Sequence, residues 1–149
     1  MREDRLLRLA EHLEVGKLWH DEFNFTIVSG TGFLQNGSCG TIGCAIGECR
    51  FLWPEVWERE PIDLSLFEVT LPEWDWLFFP MGGTNDNCCA PWNEQPLMDR
   101  ATQYEVAQGI RNFIAWKKAQ AEVREAVARI VSRQQERDAA VPEEELVGA

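Results

Sequence analysis

From Arg5 to Leu13, the residues Leu6, Leu7, Leu9, Ala10 and Leu13 recur at three- and four-residue spacing, while Arg2, Arg5, Arg8, Glu11 and Glu14 fall largely on the other side. That pattern predicts an amphipathic first helix with one face in a core. A second helical pattern covers Thr41 to Leu52, where Ile42, Ala45, Ile46, Cys49 and Leu52 share one side. Its neighbourhood, Ser38 to Cys49, is crowded with small, apolar and sulfur-bearing residues, so this helix is expected to be buried, and Pro54 bounds it. Thr70-Leu71-Pro72-Glu73 fits a capping box with proline in the first turn, followed by Trp74, Leu77 and Phe78 on one face.

Thr102-Gln103-Tyr104-Glu105 is a second capping box and opens the longest helical pattern, which is predicted to run to about Arg137. Val106, Ile110, Phe113 and Ile114 form its core-facing stripe. Beyond them Trp116, Val123, Val127 and Ile130 continue at three-to-four spacing, interrupted by Gln120. Some 36 residues at 1.5 Å each reach about 54 Å, more than the roughly 30 Å of a small domain, so the second half is expected to project or break.

The remaining segments are shorter. Phe23 to Val28 is β-prone, Ser29-Gly30-Thr31-Gly32 has turn chemistry, and Phe33-Leu34-Gln35 is a candidate return strand; a small β-hairpin and an extended arm both fit. Pro54 suits the first position of a short helix carrying Trp57, four residues after Trp53. Residues 82–96, rich in Gly, Asn, Cys and Pro, form the main loop, with Trp92 as a large anchor for the domain or for a partner. The expected fold is mainly α: a compact helical domain over 1–137, a projecting C-terminal helix over 102–137, and a disordered acidic tail over 138–149.

Composition narrows the function classes. The chain has 149 residues, 45% of them hydrophobic, and a formal charge of -11, enough for one core and unfavourable for nonspecific contact with DNA or anionic membranes. No apolar run approaches the ~20 residues of a membrane span, and a cytoplasmic protein is expected. Acids concentrate in 54–76 and bases in 102–137, so opposite patches can meet within the fold or between copies.

Five cysteines, Cys39, Cys44, Cys49, Cys88 and Cys89, lack zinc-type spacing and read first as buried free thiols. His12 and His20 stand in no ligand-like pair. No phosphate-cradling glycine loop, Gly-x-Ser-x-Gly or His-Glu-x-x-His is present, and no catalytic, cofactor-binding or metal-ligating residue is assigned.

Cys39-Gly40-Thr41-x-Gly43-Cys44-Ala45-x-Gly47 resembles the signature of small uncharacterised proteins of bacteria and their phages. In those proteins a Leu- and Arg-rich helix precedes the motif, as Leu6 to Leu13 does here. A segment Thr-x-x-Glu-Val-Ala-x-x-Ile-x-x-Phe follows it, as Thr102, Glu105, Val106, Ala107, Ile110 and Phe113 do. This chain departs from the pattern at Glu48, where an aromatic is common. The resemblance implies a helical fold and a phage or prophage origin, with no activity attached.

The reading that follows is a non-enzymatic protein-interaction molecule that self-associates or docks a protein partner, with no direct nucleic acid and no membrane. Its candidate contact residues are Trp92, Trp116, Val123, Val127 and Ile130. An alternative is an acidic inhibitor presenting Glu55, Glu58 and Glu60 in place of nucleic-acid phosphates. A cysteine-centred metal or redox protein is a third.

Overall fold

The first helix, α1, spans Glu3–Glu14 and buries Leu6, Leu9, Ala10 and Leu13, the stripe its sequence periodicity marks out. It ends where Gly16 takes a positive φ of 77°, the left-handed conformation in which glycine avoids the Cβ clash of other residues. A Cβ there would stand 2.9 Å from the Tyr104 hydroxyl; Tyr104 is exposed and can yield, so the backbone term dominates. Gly16→Ala is therefore expected to lower stability by about 1–2 kcal/mol, measured by urea unfolding.

The computed structural model describes residues 1–24, 29–33, 39–57, 64–78, 91–92 and 101–140, with the backbone alone at 29–33, 39–43, 57 and 64. Three strands follow α1 in the chain: β1 (Glu22–Phe23), β2 (Ser29–Phe33) and β3 (Cys39–Gly43). They form one sheet in the order β1-β3-β2. β3 lies antiparallel to β2, from Ser29 opposite Gly43 to Phe33 opposite Cys39, and parallel to β1.

This sheet corrects two sequence expectations. Ser29 to Gly32 is strand, not turn, because pairing with β3 outweighs its local turn chemistry. The central helix starts at Ala45, not Thr41: α2 covers Ala45–Leu52, and Cys44 before it is extended. Gly40 and Gly43 weaken a helix, and β-branched Thr41 and Ile42 suit a strand. The expected strand segments 25–28 and 34–35 lie outside the described residues.

After α2 come α3 (Pro54–Trp57), a 3-10 turn (Leu64–Leu66) and α4 (Leu71–Phe78). At the start of α4 the Thr70 amide donates to Glu73 Oε2 at 2.9 Å, one half of the expected box. Phe67, fully buried, collects the aromatic core: its ring centroid is 5.4 Å from Phe78, 6.0 Å from Trp53 and 6.2 Å from Trp74. The start of α1 is tied to this region by the Arg2 amide donating to the Phe67 carbonyl at 2.7 Å.

The last helix, α5, runs unbroken over Gln103–Ala139. Its capping box is reciprocal: the Thr102 amide donates to Glu105 Oε2 at 2.7 Å, and the Glu105 amide donates to Thr102 Oγ1 at 3.3 Å. Val106, Ala107, Ile110, Phe113 and Ile114 are buried, and Arg111 forms a two-pronged ion pair with Glu14 of α1, both contacts 2.6 Å. The chain divides into two units, Met1–Ile114 and Ala115–Ala149. The fold is mainly helical, with a long C-terminal helix. Residues 141–149, most of the expected acidic tail, lie outside the described residues.

Candidate functional site: a buried carboxylate clasp and an apolar helix stripe

Glu48 lies in the first turn of α2 and is completely buried among Ile46, Gly47 and Cys49. A carboxylate in that setting must have its acceptor sites filled, and each oxygen takes two donors. Oε2 accepts from His12 Nε2 at 2.6 Å and from the Trp19 amide at 2.9 Å. Oε1 accepts from His20 Nδ1 at 2.6 Å and from the His20 amide at 3.1 Å. Burial would raise this carboxyl, but the bonds from His12, the Trp19 amide, and the His20 side chain and amide outweigh it and hold its pKa down to about 2. Ionised, Glu48 only accepts, so the ring nitrogens facing it carry protons.

The arrangement joins three separate segments: α1 through His12, the bend after it through Trp19 and His20, and α2 through Glu48. Both oxygens are consumed by donors, so the carboxylate holds structure and has no acceptor site left for a substrate. The outer face of the clasp opens on a groove of about 550 Å³ lined by Arg8, Glu11, His12, Trp19 and Phe51 among others. Trp19 stacks on Phe51 with centroids 5.0 Å apart, although both remain substantially exposed.

The clasp was not read from the sequence, where His12 and His20 pass for ordinary packing residues. One signal was available. Glu48 is a charge inside a stretch that is otherwise small and apolar, and such a position demands partners.

The cysteines near it are quiet. Burial pushes the Cys44 thiol up, and the Glu48 charge adds to that. Burial pushes the Cys49 thiol up further, helped by Cys44 and Glu48. Cys49 Sγ also donates to the Ala45 carbonyl at 3.2 Å. Both are free and buried, kept as thiols and short of thiolate reactivity. Among the described residues no group of three His, Cys, Asp or Glu is placed to hold a metal ion; Cys88 and Cys89 lie outside those residues.

The expected contact residues are scattered. Trp92 is half-buried, its ring 4.7 Å from Phe113 and 5.4 Å from Trp76, so it anchors the domain. Trp116 is half-buried near the start of the second unit. Glu55 is exposed in the first turn of α3, while Glu58 and Glu60 lie outside the described residues.

Val123, Val127 and Ile130 do come together on α5, with exposures of 58%, 53% and 66%, and Val131 joins them at 49%. Spacings of four, three and one put these four on adjoining lines of one helix face. Among the described residues no helix is long and apolar enough to cross a membrane.

No protein-family model, curated protein or solved structure matches this chain.

Proposed function

We propose that this chain is a non-enzymatic interaction protein that associates with a second copy of itself through the C-terminal half of α5. The observation that carries this reading is the stripe of Val123, Val127, Ile130 and Val131, four β-branched apolar side chains exposed on one continuous helix. Isolated exposed apolar residues need no explanation, but a row at helical spacing is the pattern that partner helices cover. The charge pattern supports a like partner, because Arg124, Arg129, Arg133 and Arg137 are interspersed along this half with Glu122, Glu125, Glu136 and Asp138, so that each copy carries both signs there.

Fully burying a Val or Ile gains roughly 1.5–3 kcal/mol. These side chains are only partly exposed, and association itself costs at least about 4 kcal/mol, so the pairing is weak and is measured at high protein concentration. A Val127→Glu, Ile130→Glu double variant is expected to remain folded, since both positions are solvent-facing, and to shift the light-scattering mass from dimer to monomer. A wild-type chain that stays monomeric at the highest soluble concentration would overturn the proposal. A phage or prophage origin belongs to the same reading and rests on the Cys39 to Gly47 motif; the genes flanking this one test it.

A further inference from the structure

Which way the two α5 helices run is written in the polar residues that interrupt the apolar stripe. On a heptad frame, Gln120, Val127 and Gln134 take one core line seven residues apart, and Val123 and Ile130 take the other, which Arg137 continues. Parallel and in register, each layer from Gln120 to Gln134 meets its own copy: Gln120 with Gln120, Val123 with Val123, Val127 with Val127, Ile130 with Ile130, and Gln134 with Gln134; beyond them the two Arg137 side chains carry like charges and reach out to water, which ends the seam. Each amide then has another amide to donate to and accept from.

Both antiparallel alignments break this matching. Facing Val127 with Ile130 sets Val123 against Gln134, and facing Val127 with Val123 sets Gln120 against Ile130. A parallel pair displaced by one heptad sets Val127 against a glutamine. In each case an amide is covered by a side chain that cannot bond to it.

The flanking positions agree. In a parallel pair Ala126 of one copy packs beside Val131 of the other, which accounts for the exposed Val131, and Arg133 reaches Asp138. In the single chain Gln134 Nε2 donates to Asp138 Oδ1 at 2.8 Å; on pairing, each exchanges this intrahelical bond for a partner across the seam.

We infer that two copies of this chain pair their α5 helices parallel and in register over residues 120–134, with the glutamine layers at Gln120 and Gln134 fixing the alignment. This rests on the self-association proposed above, and the experiment separates the two.

A spin-labelled non-natural residue is placed at Lys118 or at Ala139, both on the outer line of the heptad, in the full chain. Dipolar spectroscopy then reads the distance between copies, while light scattering on the same samples reports their mass. The parallel register gives short and similar 118–118 and 139–139 distances. An antiparallel pair lengthens both by an axial offset on the order of 30 Å, from 21 residues at 1.5 Å, and makes a mixed 118–139 sample the short one; that result overturns the orientation and leaves self-association standing. A dimer by scattering with no coupling at either site overturns pairing through α5, and a monomer overturns both readings.

Discussion

Glu48→Ala is expected to cost about 3–5 kcal/mol of stability, the range for breaking a buried charged network by removing one partner. The loss has a specific origin. The two ring N–H groups of His12 and His20 and the backbone amides of Trp19 and His20 all donate to this one carboxylate, and alanine leaves them without their acceptor in a site where His20 is 5% exposed. Each buried unsatisfied donor costs about 1–3 kcal/mol, and partial rearrangement toward the groove beside His12 keeps the total below the sum. Against the ~5–15 kcal/mol of a typical domain, that is enough to abolish folding at raised temperature. Glu48→Gln keeps the volume and one acceptor oxygen but turns an NH2 toward two donors, so an intermediate loss is expected. Urea unfolding followed by tryptophan fluorescence measures both, and losses under about 1 kcal/mol, the size of an ordinary single hydrogen bond, would show that the clasp contributes little.

The helices were legible because their signals are local. α1, α4 and α5 each carry an apolar stripe at helical period, and the boxes at Thr70/Glu73 and Thr102/Glu105 mark two starts to within a residue of those observed. The sheet was not legible for the opposite reason. Ile42 keeps helical register with Ala45 and Ile46, so Cys39 to Gly43 reads as the front of α2. What makes it a strand is pairing with Ser29 to Phe33, whose glycines advertise a turn, and such pairing leaves no mark in a local window.

The clasp was hidden in the same way. Glu48 stands 36 residues from His12 and 28 from His20, distances that no spacing motif describes. The α5 stripe, by contrast, was visible residue by residue, because Val123, Val127 and Ile130 follow a local helical spacing that a short window captures.

Acid is expected to undo the clasp in a window that its carboxylate defines. Glu48 titrates at about 2 in the folded chain against an ordinary value of 4.5, so the folded state binds its proton less readily than the unfolded state does. A depressed folded pKa adds stability that is fully present above 4.5 and is lost as the pH falls from there toward 2. At 1.36 kcal/mol for each unit, the contribution is about 3 kcal/mol. Glu14 and Glu105 are also lowered, by Arg111 and Thr102 respectively, but both are exposed, and solvent screening leaves them little weight. The difference between the wild-type chain and Glu48→Gln cancels every titrating group that does not touch residue 48, and its change between pH 4.5 and 2 follows the carboxylate. Below about pH 5 that difference is expected to shrink toward pH 2 by an amount on the order of 3 kcal/mol, read from urea unfolding at each pH. A difference that stays flat across this range would mean that Glu48 gives up its proton with equal ease in the folded and unfolded chain, which the four donors around it do not allow.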